Sequence, residues 1–199
     1  NPPGFDTPLR GYSTHRAAVK RVAVHASRRA PPSVVGMPRV TAILVVQDGD
    51  RWLDDTLSAL ARQTRRPDSL VVVAEPSTSV DPAALADAGV AQFVTATGGS
   101  LGTGIARALR AAPPSEDADE WLWLLRADTA PAPDALDELL AAVETAPSVA
   151  VAGPKLVDPV DSARIRSYGE TLTPTGATVV LVDNELDQAQ YDSATDVMA

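Results

Sequence analysis

Residues 121–134 read WLWLLRADTAPAPD. The five apolar residues 121–125 form a run of strand length. The acidic turn Arg126-Ala127-Asp128 follows, and Pro131 and Pro133 then lead into a helix. A run this apolar suits a strand buried in a sheet. Asp128 therefore stands at the carboxyl end of that strand, and in open α/β sheets ligands bind outside that edge. The simpler reading of Asp128 is a capping Asp in a turn.

Working outward, strands and helices alternate. Residues 40–46 (VTAILVV) are continuous, apolar and β-branched, the mark of a strand covered on both faces. Residues 52–63 place Leu53, Leu57 and Leu60 on one helical face. Residues 70–74 (LVVVA) are a second buried strand. Residues 81–89 are a short helix with Asp81 as N-cap, Pro82 at the first helical position and Gly89 past the end. Residues 90–95 are a third strand. Residues 98–104 are a glycine-rich turn opening a helix with Ile105, Ala108, Leu109 and Ala112 inward. Residues 121–125 are the fourth strand, and residues 134–145 a helix with Leu136, Leu139, Leu140 and Val143 inward. Its acidic first turn suits the helix dipole. Residues 149–152 are a fifth strand.

This order predicts an α/β domain with a mostly parallel sheet and helices on both faces. Beyond Gly153 the pattern changes. Residues 165–168 and 177–182 read as strands of a hairpin-like excursion turning at 174–176, and residues 184–199 as polar and irregular.

The chain has 199 residues, enough for one domain with a sizeable core. It contains no run of 18 apolar residues and no secretory h-region. The absence of cysteine excludes disulfides and thiolate metal sites and fits a reducing compartment. Charge is uneven. Residues 1–36 carry Arg10, Arg16, Lys20, Arg21, Arg28 and Arg29 against Asp6 alone, a balance of +5 in a chain whose total is −9. The acidic remainder argues against nucleic acid as a ligand. Residues 1–37 read as a basic, Pro-rich arm or extension, and residues 38–199 as the domain. Within the arm, residues 14–29 read either as a solvated extension or as a short basic helix for a membrane surface or for self-association. Met37 begins MPRVTAILVV, which reads like a natural start.

The glycines Gly98, Gly99, Gly102 and Gly104 lack the Lys-Ser/Thr of a Walker A loop. They also follow the third strand, where the dinucleotide fingerprint follows the first. Small residues at a helix start explain them, and the amide of Gly102 is a candidate for facing an anion. Asp48 and Asp50 follow the first strand and Glu75 the second, so these carboxylates sit near the carboxyl edge. There they either accept hydrogen bonds from a ribose or base, or are solvated loop acids. His15 and His25 have no acidic neighbour in sequence and receive no role. There is no Gly-x-Ser-x-Gly elbow and no Cys nucleophile. Trp121 and Trp123 read as packing residues.

Taken in order, these segments resemble family 2 glycosyltransferases. VTAILVVQDGDRWLDDTLSALARQT (40–64) is similar to the family's opening strand, polar turn and Leu-x3-Leu helix ending in Gln. LVVVAEPST (70–78) resembles the second strand, which ends in a nucleotide-contacting acid. GSLGTGIARAL (99–109) is similar to the Gly-rich turn and Ala-rich helix. WLWLLRADTAPAPDALDELL (121–140) is similar to the metal strand with its following helix. VAVAGPKLVD (149–158) and NELDQAQYD (184–192) look like an actinobacterial branch related to rhamnosyl- and galactofuranosyl-type transferases.

The resemblance implies a GT-A fold, which is Rossmann-like, and a nucleoside-diphosphate sugar at the carboxyl edge. It implies inverting transfer to the hydroxyl of a glycan or lipid-linked acceptor in cell-envelope synthesis, in the cytoplasm or at the inner face of the membrane. Base and ribose contacts would fall near Gln47, Asp48 and Glu75. A Mg²⁺ or Mn²⁺ ion on Asp128 would neutralise the diphosphate.

The chain departs from the family at three points. The metal motif reads Arg126-Ala127-Asp128 where two acids or an Asn/His-x-Asp form are usual. Two roles are open to Arg126: binding the diphosphate in place of part of the metal's charge, or repelling the metal and marking a catalytically silent scaffold or binding module. Next, Ala74 occupies the place of the second strand's acid, with Glu75 and Pro76 after it. Last, the family's acceptor half and general base are expected after the point where residue 199 falls, so no catalytic residue is assigned.

Overall fold

The computed structural model describes residues 23–25, 37–46, 52–95, 100–112, 120–144, 149–175, 177–182 and 184–191. Eleven strands and four helices are found among them. In chain order, β1 (Ala23–His25) is followed by β2 (Arg39–Val45), α1 (Leu53–Ala61), β3 (Ser69–Ala74), α2 (Pro82–Ala88), β4 (Gln92–Thr95) and α3 (Leu101–Ala111). Then come β5 (Glu120–Arg126), α4 (Ala135–Glu144), β6 (Val149–Ala152), β7 (Leu156–Val157), β8 (Arg164–Ser167), β9 (Glu170–Leu172), β10 (Thr178–Val180) and β11 (Glu185–Leu186).

Four strands form a parallel sheet in the order β4-β3-β2-β5. Because side chains alternate along a strand, β2 feeds two cores. Ala42 and Leu44 join Leu53, Leu57 and Leu60 of α1, with Leu85 and Ala88 of α2 on the same face. Ile43 and Val45 join Val71 and Val73 of β3 and Ile105, Ala108 and Leu109 of α3 on the other. Burial on both sides explains why β2 and β3 are continuously apolar rather than alternating. At the entry to β2 the Val40 N–H donates to Asp68 (2.9 Å), which also pairs with Arg65. Burial alone would raise the Asp68 pKa, but the Val40 N–H and the Arg65 guanidinium outweigh it and hold the carboxyl below its usual range.

The short helix α2 has the expected punctuation: the Asp81 carboxylate accepts from the Ala83 N–H (2.9 Å), Pro82 starts the helix, and Gly89 closes it at φ 73°. In α3 the glycine-rich stretch is a helix rather than a turn as far as it is described. Ser100 is the N-cap, so Gly102 and Gly104 lie in the first turn; Gly98 and Gly99 lie outside the described residues.

Three expectations need correction. First, β5 is not an interior strand. Among the described residues it is an edge of the parallel sheet, with Leu122 and Leu124 38% and 49% exposed. The face they share with Ile43 is covered by α3 only over β2, β3 and β4. Second, Val149–Ala152 does not extend this sheet. It pairs antiparallel with Ala23–His25, which also makes those three residues of the basic arm a strand and not part of a helix.

Third, residues 165–168 and 177–182 are not partners. β8 lies between β7 and β11 in an antiparallel sheet, so Glu185–Leu186 is a strand within a segment expected to be irregular. The hairpin is formed by β9 and β10, whose turn is tied by Thr173 Oγ1 accepting from the Ala177 N–H (2.9 Å). A small core of Ile165, Tyr168 and Val182 is completed by Tyr191, stacked on Tyr168 at 4.9 Å between ring centroids. Asp158 receives the Asp161 and Val160 N–H groups and then the Arg166 guanidinium, which together hold its carboxyl below the usual range. Among the described residues no helix is long and apolar enough to cross a membrane.

Candidate functional site at the carboxyl edge of the sheet

The strand order places the functional candidates. From β2 the chain moves through α1, β3, α2 and β4 toward one edge, then returns through α3 to set β5 on the opposite side of β2. With α1 and α2 on one face and α3 on the other, the strand order reverses between β2 and β5. A crevice outside the strand ends at such a reversal is where doubly wound sheets bind ligands. Val45, the last residue of β2, is level with Val73 on one side and Arg126 on the other. Glu75, two residues beyond Val73, and Arg126 and Asp128 thus flank the end of β2 from opposite sides. Their strands are separated by two interstrand spacings, about 10 Å. Gln47, Asp48 and Asp50 follow β2 at this edge in sequence but lie outside the described residues.

Arg126 and Asp128 are joined by two hydrogen bonds, Nε to Oδ1 (3.1 Å) and Nη2 to Oδ2 (2.9 Å). Their side chains are 50% and 38% exposed, so the fork faces solvent. The turn beneath is fixed: the Thr129 hydroxyl and N–H both donate to the Arg126 carbonyl, and the Ala127 N–H donates to Val45 O (3.3 Å). Ala127 is fully buried in the core on the α1 face. A second acid at that position would put its carboxylate in apolar surroundings.

Two residues that sequence reading did not single out as functional hold this loop in place. Thr56 of α1 is buried, with its hydroxyl 2.8 Å from both the Ala127 and Thr129 carbonyls. Gln63 is buried just beyond α1; its amide donates to Ala132 O (2.6 Å) and accepts from the Leu136 N–H (3.2 Å). A Thr on the apolar face of an otherwise Leu-lined helix, and a Gln at its end, were the available signals. Both polar groups are buried because carbonyls of the 127–136 loop receive them.

The end of β5 does not fit a divalent-cation site. The turn offers a single carboxylate, both Asp128 oxygens already carry guanidinium bonds, and the described residues hold no cluster of three His, Asp or Glu. The Arg126 guanidinium also repels a divalent ion brought to Asp128.

The glycines of α3 have separate reasons. A Cβ on Gly104 would lie 2.5 Å from Val45 Cγ1 and 3.0 Å from Cγ2, so the first turn of α3 can approach β2 only without a side chain. A Cβ on Gly102 would meet nothing nearer than Ser100 Oγ at 3.8 Å. Gly104→Ala is therefore expected to destabilise by about 1–3 kcal/mol through overpacking against a stiff β-branched neighbour. Gly102→Ala should stabilise by up to about 1 kcal/mol through helix propensity. Urea denaturation of the two variants checks the opposite signs. If the Gly102 amide faces a ligand, Gly102→Ala will weaken binding while raising stability.

Comparison of the sequence with protein-family models and with curated proteins gives no match.

Proposed function

We propose that this chain is the nucleotide-sugar-binding domain of a family 2 glycosyltransferase with a GT-A arrangement. The observation that carries the reading is the reversal of strand order between β2 and β5, which sets Arg126 and Asp128 beside the end of β2 and across from Glu75. The collinear motifs at residues 40–64, 70–78, 99–109 and 121–140 supply the chemistry. In this reading Glu75, with Gln47 and Asp48, receives the base and ribose. The Gly102 amide and Arg126 face the diphosphate. The sugar is passed with inversion to an acceptor hydroxyl of a cell-envelope glycan at the cytoplasmic face of the membrane, and none of these residues is assigned as the general base.

Calorimetric titration with UDP, GDP and dTDP, with and without Mn²⁺, tests the donor site. Micromolar-to-millimolar binding of at least one nucleotide is expected; no binding under either condition would sink the reading. A second reading, a catalytically silent module of the same fold, is favoured by one feature: arginine and a buried alanine stand where the family carries acids. Nucleotide binding without hydrolysis or transfer of the matching nucleotide sugar would select it.

A further inference from the structure

We infer that the end of β5 works without a metal, and that Arg126 supplies the positive charge a divalent cation would otherwise bring to a diphosphate. The inference rests on the proposed donor site for its ligand, but on the geometry of Arg126 and Asp128 for its chemistry. Asp128 is the only acid of the 126–128 turn, and both of its oxygens are bonded to the guanidinium. Neighbouring Ala127 is buried and brings no ligand. The guanidinium bonded to both Asp128 oxygens repels a dication and competes with it for the carboxylate.

The same geometry leaves Arg126 suited to an anion. Nε and Nη2 bind Asp128, while half of the side chain is exposed at the crevice edge. Of the five N–H donors of a guanidinium, two bond Asp128 and three are left for phosphate oxygens, in a planar fork that a point charge does not offer. Asp128 acts here as a positioning residue: it holds the guanidinium plane from two residues away, at the cost of placing one negative charge near the anion.

This makes Asp128→Asn diagnostic by sign. With a metal on Asp128, the substitution abolishes metal-dependent nucleotide binding. With Arg126 as the binding cation, it removes a like charge from beside the diphosphate, and affinity for UDP, GDP, dTDP or inorganic pyrophosphate in EDTA is unchanged or higher. Arg126→Ala should weaken that metal-free binding about 10-fold or more, the loss of a charge-assisted hydrogen bond. Both side chains are at the surface, and circular dichroism of each variant verifies the fold.

A Mn²⁺ titration followed by electron paramagnetic resonance, with no nucleotide present, decides the metal question separately. The expected result is no saturable site that depends on Asp128. Saturable Mn²⁺ binding lost in Asp128→Asn overturns the inference. So does nucleotide binding that requires Mn²⁺ and vanishes in Asp128→Asn. Failure of every nucleotide and of pyrophosphate to bind overturns the role of Arg126 together with the proposed donor site, whereas the Mn²⁺ titration still stands on its own.

Discussion

Gln63→Ala is expected to lower the stability of the domain by about 2–3 kcal/mol. Gln63 is 5% exposed and bonds across to the segment that carries Asp128 into α4. Its Oε1 accepts from the Leu136 N–H in the first turn of α4, where backbone donors have no partner within the helix. Leu136 is itself buried, so water does not replace the lost acceptor. A buried donor left unpaired costs about 1–3 kcal/mol. Ala132 O loses the shorter of its contacts but keeps the Ala135 N–H at 2.9 Å, and the missing methylenes add a small cavity. Gln63→Leu separates the two causes. Leu fills the volume but cannot bond, so a loss as large as that of Ala assigns the effect to the hydrogen bond. A near-wild-type Leu variant would assign it to packing. The measurement is the urea midpoint at unchanged slope.

The same residue shows what a sequence discloses. The parallel sheet and its helices were readable because each carries a long, regular signal: the near-continuous apolar run of β2, the Leu spacing of α1, the Asp-Pro…Gly punctuation of α2. Tertiary burial agrees with local pattern in those segments. In Gln63 the local signal is only a polar residue after a helix, and its burial depends on a carbonyl and an amide about 70 positions away.

The edge position of β5 was hidden for a related reason. WLWLL is as apolar as an interior strand, but Leu122 and Leu124 face a side that α3 does not reach. Hydrophobicity reports that a strand can be covered, not what covers it. The pairing of β7, β8 and β11 was also illegible, because strands of two to four residues carry no period. As for the site, Asp128 and Arg126 were visible as residues, yet only the fold shows that they bond to each other.

Asp187→Ala should cost about 3 kcal/mol, and Lys155→Met clearly less. Lys155 and Asp187 form an ion pair that ties the segment before β7 to the residue after β11. The two ends are unequally buried, with side-chain exposures of 3% for Lys155 and 21% for Asp187. Removing the carboxylate takes a counter-charge from an ammonium that stays in the interior, which is the more expensive way to break a buried pair. Removing the ammonium leaves a carboxylate that reaches water and still accepts the Ala189 N–H (3.1 Å), while Met keeps the apolar stem of the lysine.

Location matters as well as size. All three tryptophans, Trp52, Trp121 and Trp123, belong to the parallel-sheet part of the chain, whereas Tyr168 and Tyr191 stack in the small core beside β8. If β7, β8 and β11 loosen first, near-ultraviolet tyrosine dichroism in Asp187→Ala will be lost at lower urea than tryptophan fluorescence, while the two transitions coincide in the wild type. Equal losses in Asp187→Ala and Lys155→Met would mean that the attraction within the pair, and not the desolvation of the ammonium, sets the cost.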